Sequence, residues 1–318
     1  MRKICACFLL LALLMPACSR ERPQPSSPSA PSPSSASAVT FTDDLGRELT
    51  VNPPRRVAAL IGSFADVWLL AGGEDSLVAA AGDAWTSLGL DLGEKTINLG
   101  SVAAPNLELL LDARPDLVLA SCNTQANLDL LDAFEDAGIP AAYFEVDNFG
   151  DYLRMLEICA RLTGCEDRYD AYGLQVRNQV DAAVARQDGS APTVLYIRAS
   201  GSSCKVKGGQ GSVLGEMLSA LGCVNVADRD GALLESLSLE GIIAADPDYI
   251  FAVLQGTDKD KAQAVLEATL LSNPAWNGLR AVEEGRFYTM DPTLYNLKPN
   301  ARWGEAYETL ADILYPAG

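Results

Sequence analysis

Asn106-Leu-Glu-Leu-Leu-Leu-Asp-Ala-Arg-Pro-Asp-Leu-Val-Leu119 returns without a gap as Ser238-Leu-Glu-Gly-Ile-Ile-Ala-Ala-Asp-Pro-Asp-Tyr-Ile-Phe251. Each copy opens on Asn or Ser, residues whose side chains accept from the free amides of a first helical turn. A short apolar turn follows. Pro115 and Pro247 then close the helix, because proline has no amide hydrogen and clashes with the preceding turn. An apolar run suited to a strand buried on both faces comes next. The chain therefore holds one helix-to-strand unit twice, which predicts two α/β lobes.

Outward from the repeat, strand and helix signals alternate. Val39 to Val51 reads as a hairpin around an Asp44-Leu45-Gly46 turn. Arg56-Val-Ala-Ala-Leu60, Leu77-Val-Ala-Ala80, Asp116-Leu-Val-Leu-Ala120 and Ala141-Ala-Tyr-Phe144 read as strands, with helices from Ser63, Asn106 and Ala126. Such alternation implies mainly parallel sheets covered by helices. From Asp151 to Arg186 only a helical pattern runs, with Gly164 a possible break, and the alternation resumes at Thr193-Val-Leu-Tyr-Ile-Arg198. The expected layout is a first lobe over 39–148, a single long bridging helix within 149–188, a second lobe over 189–318, and a ligand cleft between the lobes.

The first residues carry Arg2 and Lys3, the apolar run Phe8 to Met15, then Pro16-Ala17-Cys18. This is an export signal over 1–17, too short to span a bilayer, and it resembles bacterial lipoprotein signals, which implies lipidation of Cys18. Plain secretion after Ala17 is the other reading. Residues 18–38 are rich in Pro and Ser and form a tether, reaching roughly 50 Å at ~3 Å per residue. The chain of 318 residues has a formal charge of -18 and no histidine. The charge repels nucleic acid. The missing histidine excludes Ser-His-Asp and HExxH chemistry and removes the commonest metal ligand. Cys159 and Cys165 are close enough in sequence to bridge; the alternative is that the cysteines of the mature chain are mostly small buried hydrophobes.

The hairpin with Pro53-Pro-Arg-Arg-Val57, the two Leu-Glu/Pro-Asp units and the last helix after Lys298-Pro-Asn300 resemble the substrate-binding proteins of bacterial ABC importers for iron complexes, haem and vitamin B12. The resemblance implies two Rossmann-like lobes, no catalysis, no cofactor and a monomer on the outer face of the cell membrane. It implies an ABC permease dimer with its ATPase subunits as partner, and it gives Glu108 and Glu240 the role of docking carboxylates. Either residue alone is explained by the helix dipole, which favours an anion in the first turn.

In open α/β sheets the ligand lies beyond the carboxyl ends of the strands. The loops there supply Phe64, Trp85 and Asn123 from the first lobe and Arg198, Lys205, Tyr295, Lys298 and Arg302 from the second. Lys207 belongs to the same cationic group. A cation in a first helical turn opposes the dipole, so Arg302 points either to an anionic ligand or to a neighbouring acid. The resemblance implies that the ligand is a small metal chelate: a ferric siderophore, haem or a corrinoid. For haem the iron donor would be Tyr295, with Tyr288 and Met290 as alternatives. A rival reading, a Rossmann-type nucleotide-dependent surface enzyme, rests on the glycine run Gly209-Gln-Gly-Ser-Val-Leu-Gly215. That run starts well after the preceding strand end, too late for the tight turn that brings backbone to a pyrophosphate.

Overall fold

The computed structural model describes residues 37–229, 231–256 and 258–316. The signal segment, Cys18 and nearly all of the tether lie outside them. Val39–Thr42 pairs antiparallel with Glu48–Val51. The turn between them is tied by Asp43, whose Oδ1 accepts from the amides of Leu45 and Arg47.

The first sheet has five parallel strands in the order Ile97–Asn98, Leu77–Ala80, Val57–Ala59, Leu117–Ser121, Ala141–Phe144. Alternate side chains divide between two cores, as the pleat requires. Ala58, Val118 and Tyr143 pack outward with Leu110 and Phe134, while Val57, Leu117, Leu119 and Phe144 pack inward with Phe64 and Trp68. In the second sheet the path runs Cys204–Lys207, Thr193–Ala199, Tyr249–Leu254, Phe287–Met290, and only Cys204–Lys207 is antiparallel to its neighbour. Leu195, Ile197, Ile250 and Ala252 face outward onto Ile242 and Leu266.

The repeat is structural in detail. Asn106 and Ser238 cap their helices, accepting from the amides of Leu109 and Gly241. Leu110 and Ile242 are fully buried at the same position. Arg114 and Asp246 both adopt positive φ, 47° and 38°. Asp116 accepts from the amides of Arg55 and Arg56, and Asp248 from the amide of Thr193 at 2.8 Å. The Pro-Asp pair thus ends a helix and fastens the start of the adjacent strand.

The connection is helical but is not the single rod expected from the sequence. Phe149–Thr163 opens on a capping box from Asn148 and Asp151 and stops at Gly164, in left-handed conformation at φ 76°. Glu166–Tyr169, a π turn over Asp170–Leu174 and Gln175–Val184 form a second leg. The Tyr152 hydroxyl donates to the Tyr172 carbonyl at 2.8 Å and ties the legs together. Trp303–Leu314, the last helix, lies along the second leg. At Gly304 a Cβ would sit 2.0 Å from Gln179 Oε1, so the two helices approach more closely than any side chain allows.

These helices fill the space between the sheets. Val57, Leu117 and Phe144 of one sheet and Val194, Tyr196 and Phe251 of the other belong to one continuous core with Tyr152, Leu156, Trp303 and Tyr307. The last helix therefore serves both lobes. All five cysteines of the described residues are free, and Cys159 is a buried core residue, so no Cys159–Cys165 bridge forms.

Candidate ligand-binding site

The site is assembled from strand ends. The loop after Leu117–Ser121 carries Asn123, whose amide donates to Ser121 Oγ at 3.1 Å. The loop after Ala141–Phe144 carries Glu145 and Asp147, and Asp151 Oδ2 holds the backbone amides of Asp147 and Asn148. From the second sheet Tyr196 and Arg198 project from one face of their strand. Lys207 stands opposite Tyr196 in the antiparallel pair and so points the same way. The segment after Phe287–Met290 adds Tyr295, Asn296 and Lys298. Together these side chains line a cavity of about 430 Å³, which the start of the helix Val213–Ala220 also borders.

The charges are uneven. Lys298 Nζ lies 3.2 Å from Asp147 Oδ1, with both side chains largely buried. Burial pulls the Lys298 ammonium below the ordinary lysine range, and Asp147 opposes that shift. Lys207 is lowered too, by burial first and then by Arg198 and Lys205. Arg198 Nη1 reaches only Asn296 Oδ1, at 3.5 Å. Among the described residues neither Arg198 nor Lys207 has an ion-pair partner. A cavity of about 340 Å³ continues from this one past Glu145, Asp147 and Gly211 to Asp151 and Glu216. Another of about 330 Å³ shares Asn296 and extends to Thr86, Ser87 and Lys259.

Of the residues chosen from sequence, Asn123, Arg198, Tyr295 and Lys298 come together at this cavity. Phe64 does not: it is fully buried and packs edge-on against Phe144 at 6.2 Å, a core role. Trp85 is half-buried against the same core and does not line the cavity. Lys205 stands opposite Arg198 but at the exposed end of its short strand, outside the cavity that Lys207 enters. Arg302 forms a two-pronged pair with Glu305, 2.7 Å for each bond, so a neighbouring acid accounts for it. Tyr295 cannot be an iron donor as placed. Its hydroxyl donates to the Ala306 carbonyl at 3.0 Å, and burial pushes its pKa upward. Tyr288 stacks on Phe251 and Met290 is buried, and neither lines the cavity. Sequence reasoning passed over Asp147, Glu145 and Asn296; Lys207 stands in the cationic group chosen from sequence, and the period-two pattern of Cys204–Lys207 sets it on the same face as Lys205.

The glycine run is spoken for within the chain. Asp228 accepts from the amide of Gly209 at 3.0 Å, and Glu216 accepts from that of Gly211 at 3.2 Å. At Gly215 a Cβ would meet the Gly208 carbonyl at 2.2 Å, so this glycine permits packing. Ser212 holds the N-cap position without capping; its hydroxyl donates to the Gly208 carbonyl. Backbone amides that already serve carboxylates do not cradle a pyrophosphate.

Glu108 and Glu240 sit in the first turns of the two repeat helices, away from the cavity, and both are exposed.

Two α/β lobes with a charged cleft at their strand ends have the architecture of a solute-binding protein. Residues 57–294 match the family described as periplasmic binding protein, and the chain belongs to that family. It is 26% identical over 299 residues to the iron-uptake system-binding protein of Bacillus subtilis, covering 89% of each chain. It is also 26% identical over 297 residues to the Fe(3+)-citrate-binding protein YfmC of the same organism, covering 91% of this chain and 88% of that one. Among solved structures, the iron uptake ABC transporter substrate-binding protein PiuA of Streptococcus pneumoniae has the same fold, with a TM-score of 0.70 at 19% identity over 89% of this chain and 100% of that one.

Proposed function

We propose that this protein is the solute-binding component of an ABC importer that takes up iron as an anionic chelate. Arg198, Lys207 and Lys298 hold the chelate, with Asn123 and Asn296 completing the hydrogen bonding. A lipid on Cys18 keeps the protein at the outer face of the cell membrane. Glu108 and Glu240 dock it on the permease dimer.

The observation that carries the ligand reading is the convergence of three cations, from separate segments, on one cavity. Set against Glu145 and Asp147, the three cations leave the cavity net positive, which disfavours a bare metal ion and attracts carboxylate or catecholate oxygens, to which charged hydrogen bonds are the stronger kind. The iron-uptake and Fe(3+)-citrate relatives are consistent with iron as the cargo.

The test is titration of the purified protein with ferric citrate, a ferric tris-catecholate, haem and cobalamin, followed by tryptophan fluorescence. Saturable one-to-one binding of an anionic ferric chelate, weakened at least tenfold in R198A, is expected. Binding of haem or cobalamin alone would overturn the reading.

A further inference from the structure

We infer that each docking carboxylate works together with an aliphatic side chain one turn further on, Glu108 with Leu111 and Glu240 with Ile243, so that the permease dimer must offer, twice, a cation beside an apolar socket. This rests on the proposal that Glu108 and Glu240 face an importer.

Among the described residues five large hydrophobic side chains are substantially exposed: Leu45, Leu109, Leu111, Leu234 and Ile243. All but Leu45 lie on the two repeat helices or on the short helix Gly231–Glu235 that precedes the second. A single exposed leucine needs no explanation. Leu111 and Ile243, however, occupy the same position of the repeat and are 38% and 39% exposed. Their neighbours Leu110 and Ile242 are fully buried and already fasten each helix to its lobe, so the next side chain is not needed for packing. On a helix, residues three apart share a face, which puts Leu111 beside Glu108 and Ile243 beside Glu240. In the second lobe Gly241 replaces Leu109. Leu233 fills that space, since a Cβ on Gly241 would lie 2.9 Å from it, and Leu234 is exposed next to it.

The pairing also answers a question of specificity. With 42 acidic residues in the chain, a basic partner could meet carboxylates over much of the surface. An acid beside an aliphatic at the same place on each lobe gives the partner a register that charge alone does not.

The test uses the importer purified from the same organism, with its ATPase subunits, in lipid nanodiscs. ATP hydrolysis is measured while full-length, ligand-loaded protein is added. L111S/I243S is expected to raise the concentration for half-maximal stimulation roughly tenfold per pad, with ligand affinity unchanged. L45S, at an exposed leucine outside the repeat, is expected to behave as wild type. If E108A/E240A abolishes stimulation while L111S/I243S docks normally, the aliphatic role is wrong and the docking reading stands. If neither pair alters docking, both fall.

Discussion

Lys298 Nζ lies 3.2 Å from Asp147 Oδ1, the same oxygen that accepts from the Asn123 side-chain amide at 2.9 Å. Asp147 therefore masks one of the three cations proposed to hold an anionic chelate. In D147N the geometry is nearly kept and the competing charge is gone. Affinity for an anionic ferric chelate is expected to rise roughly threefold to tenfold, whereas K298M loses about tenfold or more, since hydrogen bonds to charged groups contribute ~1.5–3 kcal/mol. Isothermal calorimetry on the two variants checks both signs.

Lysine titration sets the pH dependence. Burial lowers both Lys298 and Lys207, so their charges are lost at a lower pH than ordinary lysines lose theirs. Affinity for an anionic chelate is expected to fall with rising pH before the usual lysine range is reached. A ferric tris-catecholate, which stays intact in alkali, is the suitable probe. K298R, which remains charged, flattens the decline. For stability the sign is opposite: with the folded pKa depressed, the unfolded chain binds more protons, and unfolding free energy rises with pH across that window.

Asn300 is fully buried at φ 54°, and its side-chain amide donates to the Ser63 carbonyl and to Asp66 Oδ2, each at 2.8 Å. It clamps the segment before the last helix onto the first lobe. N300G keeps the left-handed backbone but loses both bonds, at a cost of about 1–3 kcal/mol. N300A loses the bonds and adds ~1 kcal/mol or more of backbone strain. Urea denaturation of the two variants separates these contributions, and N300A is expected to be the less stable.

Asp66 carries the opposite signature to a salt-bridged acid. Burial raises its pKa and the Asn300 hydrogen bond only partly offsets that. A carboxyl with a raised folded pKa is destabilising when ionised, and the penalty disappears as pH falls through its titration. D66N is therefore expected to melt above wild type at pH 7, with the difference shrinking on acidification. A difference that grows in acid would contradict this account of Asp66.

Much of the fold was legible because its signals are local. Asn106 and Ser238 cap through amides three residues away, and Pro115 and Pro247 stop helices by their own chemistry, so one segment suffices to read them. The strand-end rule likewise brought Asn123, Arg198 and Lys298 to the cleft. The misplacements all depend on partners distant in sequence or on depth. Phe64 follows a strand end as a ligand residue would, yet Phe144 claims it. Tyr295 lines the cavity with its ring while its hydroxyl turns to Ala306. Lys205 and Lys207 differ only in how far each stands along a short strand. Arg302 is the exception: Glu305 is three residues away, and both outcomes were open from sequence. The break of the connecting helix was signalled by Gly164, but the return of the second leg along the last helix depends on Gly304 facing Gln179.

The unbroken core has a mechanical consequence. Trp303, Tyr307 and Tyr152 bind the inner faces of both sheets, so a wide jaw-like opening would expose large apolar areas at ~25 cal/mol per Å². The span between Glu108 and Glu240 is thereby fixed by the fold and little altered by what the cleft contains. If Glu108 and Glu240 are gripped by one partner, as proposed, they work as the points of a caliper whose width is preset by the core rather than by the cargo.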